Sequence, residues 1–178
     1  MHLKYKFTDE ETKRLLNDNL VILTDTREQK NKHILDYFDS KGIKYENRKL
    51  NSGDYGVKLL ADPELGLFRD TYLPVMIEKK NSIDELAGSF KDRTRFEAEF
   101  VRATSNKLKI YLLVEENQGY ENLINHKYRS EYGPKALLGS LKTFESRYGF
   151  TTVFLDKKYS GNWIYHTLRY YVYETLRE

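Results

Sequence analysis

The chain alternates short apolar runs with amphipathic segments, and this alternation limits its fold more than any other feature. Strand-like runs occupy residues 20–24, 45–50, 54–60, 73–77, 110–114 and 151–155. Apolar residues recur at helical spacing over residues 33–40, 83–90, 96–103, 134–144 and 161–176, and a capping-box spacing predicts a short helix over residues 8–17. The order predicts an α/β fold with a mixed central sheet flanked by helices.

The length of 178 residues fits one domain, and a hydrophobic share of 39% is enough for one core. We expect a helical extension over residues 1–19, where Thr8 and Glu11 have capping-box spacing, and the main domain over 20–178. The first 19 residues lack the apolar run of a signal peptide, and no run approaches the ~20 apolar residues of a membrane span. We therefore expect a cytoplasmic protein.

Charge and cysteine content exclude several classes of function. The formal net charge of +3 rules out a histone-like polycation, although local clusters of Lys and Arg can still bind a polyanion. The absence of cysteine rules out disulfides, thiolate zinc sites and cysteine nucleophiles. Any metal ion must therefore be held by oxygen or histidine ligands.

Charged side chains collect where the predicted strands end: Asp25, Glu28, Asp54, Glu78 and Lys80. Because side chains alternate along a strand, Glu78 and Lys80 should share one face while Lys79 points away. If the strand of Asp54 pairs with that of Glu78, two carboxylates meet beside a lysine. A shared divalent cation would relieve their repulsion, and oxygen ligands favour Mg²⁺ or Mn²⁺. The alternative for each acid by itself is a solvated charge at a strand end.

The same residues resemble a known family. Gly53-Asp54, followed after a spacer by Glu78-Lys79-Lys80 and then Asp84, is similar to the signature of the XPF/Hef structure-specific endonucleases: GD, spacer, ERK, three residues, D. Asp25-Thr26-Arg27-Glu28 resembles the first acidic motif of that family, and residues 93–97 resemble its arginine-bearing helix start. The similarity covers about residues 20–177, with Lys79 standing where the family has arginine.

This resemblance implies a restriction-endonuclease-like fold and metal-dependent cleavage of DNA at flaps, forks or junctions, in DNA repair or recombination. It implies a metal ion, Mg²⁺ or Mn²⁺, on Asp54 and Glu78 with Asp25 as a further ligand, and Lys80 orienting a water or stabilising negative charge. Asp25 and Glu28 would hold a second ion, the water or the lysine. Two alternatives remain: a less selective nuclease of the same fold, and a non-catalytic DNA-binding scaffold module.

Contacts to DNA are assigned to four basic residues: Arg27, Lys79, Arg93 and Arg95. Arg93 and Arg95 follow the helix that leads away from the active-site strand, which places them near the scissile phosphate. The alternative is that these side chains lie on an ordinary solvated helix face. For Arg95 this alternative is as strong as DNA contact, and for Arg93 it is weaker.

The last predicted helix suggests a homodimer. Ile164, Leu168, Val172 and Leu176 recur every four residues, and further aromatic side chains surround the helix: Trp163, Tyr165, Tyr170, Tyr171 and Tyr173. One core does not easily cover every face of a helix, so we expect a homodimer through this helix and the one at 135–147. The alternative is that the tyrosines lie flat with their hydroxyls in water.

Overall fold

The computed structural model describes residues 6–178 as a mixed seven-stranded sheet with helices on both faces. The strand order is β2-β1-β3-β5-β6-β7, and β4 pairs with β3. The strands are β1 (Leu20–Asp25), β2 (Tyr45–Arg48), β3 (Tyr55–Leu59), β4 (Thr71–Tyr72), β5 (Val75–Lys80), β6 (Lys109–Glu115) and β7 (Thr151–Leu155). The predicted fold class is confirmed.

The helices connect and cover these strands. They are α1 (Asp9–Arg14), α2 (Lys32–Lys41), α3 (Ile83–Lys91), α4 (Arg93–Ser105), α5 (Gly119–Ile124), α6 (Pro134–Tyr148) and α7 (Ser160–Arg177). A π-helical turn follows α1 at Leu15–Asn19, and 3₁₀ turns lie at Pro63–Leu65 and Lys157–Tyr159. The sequence did not predict α5, because its six residues are too few to show an apolar period.

The sheet separates two apolar cores, and this separation sorts the side chains of β5. Val75 and Ile77 pack in one core with side chains of α2 and α7, whereas Met76 packs in the other with side chains of α3, α4 and α6. The alternation continues to the end of the strand. Glu78 and Lys80 therefore emerge on the side of α3 and α4, and Lys79 on the side of α2 and α7.

The N-terminal segment packs onto the same body. Thr8 and Glu11 form the predicted capping box at the start of α1. Leu15 and Leu16 are buried in the core under α7, and Arg169 of α7 donates to the Leu16 carbonyl at 2.7 Å. This contact makes residues 8–19 a covering layer of the domain, although the boundary at residue 19 stays a prediction.

Over residues 6–178, the structure contains no helix with the length and apolar character that crossing a membrane requires. The cytoplasmic location stays a prediction.

Candidate active site

The antiparallel pairing of β3 with β5 brings the two acidic motifs together. Tyr55 pairs with Ile77, and the amide of Asp54 donates to the Ile77 carbonyl at 2.9 Å. Asp54 and Glu78 consequently line one cavity, as the sequence predicts for paired strands. Gly53 is required at this point, since its φ is +75° and a Cβ atom there would lie 3.0 Å from Met76 Cβ and 3.1 Å from the Ile77 carbonyl oxygen.

The cavity has a volume of about 510 Å³ and lies between the ends of β3 and β5 and the helices α3 and α4. Among residues 6–178, three cationic residues line it: Arg27, Lys80 and Arg95. The same part of the chain contributes five acidic residues: Asp54, Glu78, Glu85, Asp92 and Glu99. The excess of negative charge makes this cavity attractive to a small cation and, without one, unfavourable for a phosphate.

Lys80 is directed at Glu78. Its Nζ donates to Glu78 Oε1 at 2.9 Å and lies 6.0 Å from the centre of the Phe96 ring. Burial disfavours the charged form of Lys80, but the negative charge and hydrogen bond of Glu78 outweigh it and raise the pKa of the lysine above its ordinary value. The ammonium group is therefore protonated at neutral pH.

Both carboxylates of the pair are poor acids in this environment. Burial, together with the negative charge of Glu78, raises the pKa of Asp54 well above its ordinary value. Burial also raises the pKa of Glu78, even though Lys80 opposes the shift. Raised pKa values in a solvent-connected cavity are typical of functional sites, and a bound cation would reverse them.

The donor atoms of this pair fit a hard divalent cation. Asp54 Oδ2 accepts from the Lys79 amide at 2.7 Å and Glu78 Oε1 from Lys80, while within residues 6–178 neither Asp54 Oδ1 nor Glu78 Oε2 accepts a hydrogen bond. Across the same residues, no group of three or more acidic or histidine side chains is arranged to hold a metal. Mg²⁺ suits such a site, since it binds through one or two carboxylates and keeps several waters.

The family of the chain follows from its sequence. Residues 24–167, which include Asp54, Glu78 and Lys80, match the model of the ERCC4 domain. The chain belongs to the ERCC4 domain family. This is a family of DNA nucleases that generally depend on divalent metal ions.

Solved structures agree on the fold of this ERCC4 domain. XPF from Aeropyrum pernix is 20% identical, with a TM-score of 0.61 over 85% of this chain and 64% of that chain. The same protein in complex with DNA is 20% identical, with a TM-score of 0.60 over 87% of this chain and 66% of that one. The chain thus spans slightly less than two thirds of these relatives. No curated protein matches it.

Asp25 has a different set of partners from the one expected of a metal ligand. Its Oδ1 accepts from the amide of Arg27 at 2.7 Å and from Arg27 Nε at 2.8 Å; its Oδ2 accepts from Arg27 Nη2 and the Leu50 amide, both at 2.8 Å. Burial by itself would raise the pKa of Asp25, but these hydrogen bonds outweigh it and lower the pKa. Both oxygens are in use, so we do not retain Asp25 among the proposed metal ligands.

Lys79 is fully buried, which corrects its assignment as a DNA contact. Its ammonium group donates to the Lys30 carbonyl at 3.2 Å and to Asn81 Oδ1 at 2.5 Å, and it lies 3.6 Å from Glu28 and 3.7 Å from Glu115. A side chain with no exposed surface cannot reach a phosphate. Glu28, which was expected to hold a second ion, the water or the active-site lysine, contacts the buried Lys79 through Oε2, and its Oε1 accepts from the Lys30 amide at 2.8 Å.

Glu115 extends this buried group to α2. His33 Nε2 lies 2.6 Å from Glu115 Oε1, a partner 82 residues away that no local spacing reveals.

Asp84 has a structural role: its Oδ1 accepts from the amides of Arg129 and Ser130 at 2.9 and 2.6 Å. Asp84 therefore fixes the backbone of the loop that precedes α6.

The two arginines at the start of α4 point to different places. Arg95 lines the cavity with Asp54 and Glu78. The Arg93 guanidinium lies 4.9 Å from the centre of the Phe144 ring on α6, and its Nε is 3.8 Å from Glu97. Arg95, rather than Arg93, is therefore positioned to meet a phosphate entering the cavity, together with Arg27, which lines it as well.

We expect Arg95→Ala to weaken DNA binding more than Arg93→Ala. Each phosphate that is neutralised contributes about −0.9 to the slope of log K against log salt on duplex DNA, so Arg95→Ala should reduce that slope by about this amount. Fluorescence anisotropy with a labelled duplex over a salt series measures it. A reduced slope for Arg93→Ala with an unchanged slope for Arg95→Ala would move the DNA surface toward α6.

Sequence reasoning missed the acidic side chains that the helices bring to the cavity. Glu85 and Asp92 belong to the α3 region, and Glu99 lies on α4. A signal for Glu99 was present, because it follows Arg95 by four residues and precedes Arg102 by three, which puts all three side chains on one helix face.

Proposed function

We propose that this ERCC4 domain is a divalent-metal-dependent endonuclease that cleaves phosphodiester bonds of branched DNA. One observation supports the proposal most: Asp54 and Glu78 face one acidic cavity, each with a carboxylate oxygen that accepts no hydrogen bond within the described residues, beside a protonated Lys80. Inactive relatives have no need for this combination, which argues against a non-catalytic scaffold.

Asp54 and Glu78 would hold the ion, Mg²⁺ or Mn²⁺. When bound, such an ion polarises a phosphate oxygen and lowers the pKa of a coordinated water. Lys80 supplies fixed positive charge, because its raised pKa keeps a proton on Nζ. With a proton on Nζ, Lys80 is suited to stabilise negative charge that develops on the phosphate. Arg95 and Arg27 offset the acidic charge of the cavity where the DNA backbone would enter.

The preference for a branched substrate is proposed because the ERCC4 family consists of structure-specific DNA nucleases. The solved complex of XPF from Aeropyrum pernix with DNA supports DNA as the ligand class. A less selective nuclease of the same fold remains the second candidate, because the charged lining of the cavity would suit a phosphate of branched and linear DNA alike.

One cleavage assay distinguishes these candidates. Labelled flap, fork, four-way junction and linear duplex are incubated with the protein in Mg²⁺, in Mn²⁺ or in EDTA. We expect metal-dependent cuts near the branch and little cleavage of the linear duplex. Equal cleavage of all substrates would favour the less selective nuclease, and binding without cleavage in either metal would contradict the proposal.

Metal binding should depend on pH. Asp54 and Glu78 have higher pKa values in the fold than in the unfolded chain, so the metal-free fold binds their protons more tightly and loses stability as pH rises above the ordinary carboxyl range. Mn²⁺ competes with those protons. At ~100 times its Kd near neutral pH it should stabilise the fold by about 2.7 kcal/mol, and by less near the ordinary carboxyl pKa of about 4.

Thermal unfolding with Mn²⁺ and with EDTA across this pH range measures the effect. Asp54→Asn serves as the matched variant, because it removes one charge of the pair without changing its shape. If Mn²⁺ stabilised the fold equally at both ends of the pH range, or stabilised Asp54→Asn as much as the unchanged protein, the ion would be bound elsewhere.

We also propose a homodimer through the C-terminal helix, with a narrower contact than the sequence suggested. Ile164, Leu168 and Val172 are buried, and most of the aromatic side chains of α7 are partly covered by the domain itself. Tyr170 is 61% exposed and lies beside His166, their ring centres 6.3 Å apart. Light scattering tests the dimer: a mass that stays near 21.2 kDa at micromolar concentration would exclude it.

A further inference from the structure

The loop that leads into Asp54 is held through its backbone from two sides. On one side, Asp25 accepts from the Leu50 amide at 2.8 Å and Arg27 donates to the Leu50 carbonyl at 3.0 Å. On the other side lies α4. Side chains from both sides therefore hold both backbone groups of Leu50, the Asn51 carbonyl and the Gly53 amide, although residues 50–53 belong to neither β2 nor β3.

The contacts from α4 are made by two side chains one helical turn apart. Glu99 Oε1 accepts from the Gly53 amide at 3.0 Å, and Arg102 Nη1 donates to the Asn51 carbonyl at 3.1 Å. These contacts span 46 and 51 residues of sequence. Helix α4 is thus attached to the residue that directly precedes Asp54.

We propose that Glu99 and Arg102 are positioning residues that hold Asp54 in place for metal binding and cleavage, an inference that rests on the proposed function. Gly53 transmits the position, because its φ of +75° and its close approach to Met76 and Ile77 leave its backbone little freedom. Displacement of the Gly53 amide would rotate the following residue. Asp54 would then no longer share the cavity with Glu78 in the same geometry.

The positioning role rests on what Glu99 contacts. Its Oε1 accepts from the Gly53 amide at 3.0 Å, and within residues 6–178 no three acidic side chains, Glu99 included, form a metal-holding group. Arg95 lies one turn before Glu99 on the same face of α4. Helix α4 therefore connects the proposed phosphate contact to the metal ligand by one rigid element.

The test compares Glu99→Ala with Glu99→Gln. The amide oxygen of glutamine can still accept from the Gly53 amide, so Glu99→Gln keeps the contact and removes only the charge. Glu97→Ala is the matched control: Glu97 lies on α4 but contacts Arg147 and Tyr148 instead of the loop. Three quantities are measured: hydrogen exchange of the Gly53 amide by NMR, the Mn²⁺ Kd by calorimetry, and the rate of DNA cleavage.

We expect Glu99→Ala to raise the Gly53 exchange rate and the Mn²⁺ Kd, each by roughly tenfold or more, since a hydrogen bond to a charged acceptor is lost. Glu99→Gln should raise both quantities clearly less than Glu99→Ala does, because its neutral amide oxygen still accepts the hydrogen bond from the Gly53 amide. Glu97→Ala should leave Gly53 exchange unchanged. If Glu99→Ala does not fold, Arg102→Met, which removes only the contact to Asn51, should raise exchange in residues 51–53.

Two results would overturn the inference. One is unchanged Gly53 exchange in Glu99→Ala, or in Arg102→Met if the first variant does not fold. The other is loss of Mn²⁺ binding in Glu99→Gln with normal Gly53 exchange, which would show that the charge of Glu99 acts directly. If the unchanged protein neither binds Mn²⁺ nor cleaves DNA, the proposed function fails, while Gly53 exchange still reports on the contact.

Discussion

Glu78→Gln and Asp54→Asn are each expected to lower the rate of DNA cleavage by at least about a thousandfold, equivalent to about 4 kcal/mol of transition-state stabilisation. The amide variants keep the size of the side chains but remove the negative charge that a divalent cation needs. DNA binding should persist, because Arg95 and Arg27 are unchanged and the cavity becomes less repulsive to phosphate. Single-turnover cleavage and anisotropy measure the two effects separately.

Asp36→Asn is the matched control for these variants. Asp36 is an exposed carboxylate on α2 that pairs with Lys32, outside the cavity. The same acid-to-amide change there should alter neither the rate of DNA cleavage nor DNA binding.

Lys80→Met should also impair cleavage while the protein still binds Mn²⁺. Near-normal cleavage by Glu78→Gln or Asp54→Asn would refute the proposed active site, and loss of DNA binding in step with cleavage would indicate a wider structural defect.

Lys79→Met is expected to destabilise the fold by about 3–5 kcal/mol, because it leaves buried carboxylates without their cation. Glu28 and Glu115 both lie within 4 Å of the lysine ammonium group, and their side chains are only 7% and 4% exposed. Glu115 keeps His33 as a partner, but Glu28 has no other cation within ion-pair distance among the described residues. Urea-induced unfolding measures the loss.

Lys79→Arg is the control, since it keeps the charge and restores the residue of the XPF/Hef pattern. We expect it to fold and to cleave DNA. Glu28→Gln combined with Lys79→Met should recover part of the lost stability, because it removes the carboxylate charge that Lys79→Met leaves without a cation. A Lys79→Met protein of normal stability with a reduced salt slope of DNA binding would return Lys79 to the DNA surface.

The local sequence was sufficient to predict on which face of its strand each charged residue of the site lies. Strand alternation places Glu78 and Lys80 on one face and Lys79 on the other, and the structure confirms both placements. The meeting of Asp54 with Glu78 was conditional on the pairing of their strands, and this pairing is present at Tyr55 and Ile77, in antiparallel orientation. These features depend on the chain's own period and on neighbouring segments, so they can be inferred without knowledge of distant contacts.

The partners of each charged group were decided by the tertiary structure. Arg93 and Arg95 are two residues apart on α4 and therefore point to different sides of the helix, but only the fold decides that one side meets Phe144 of α6 and the other the cavity. Lys79 was known to point away from Glu78. That it enters a buried cluster with Glu115 depends on β6, which pairs with β5 in parallel after an intervening pair of helices.

The roles of Glu99 and Asp25 show the same division. The spacing of Glu99 from Arg95 and Arg102 identifies a helix face, but the Gly53 amide that this face meets is 46 residues away. Asp25 ends a strand as a metal ligand would, and only the folded chain shows that Arg27 and Leu50 use both of its oxygens. Periodicity is a property of the local backbone and specifies direction, whereas hydrogen-bond partners depend on which distant segments pack there, and only the assembled fold determines them.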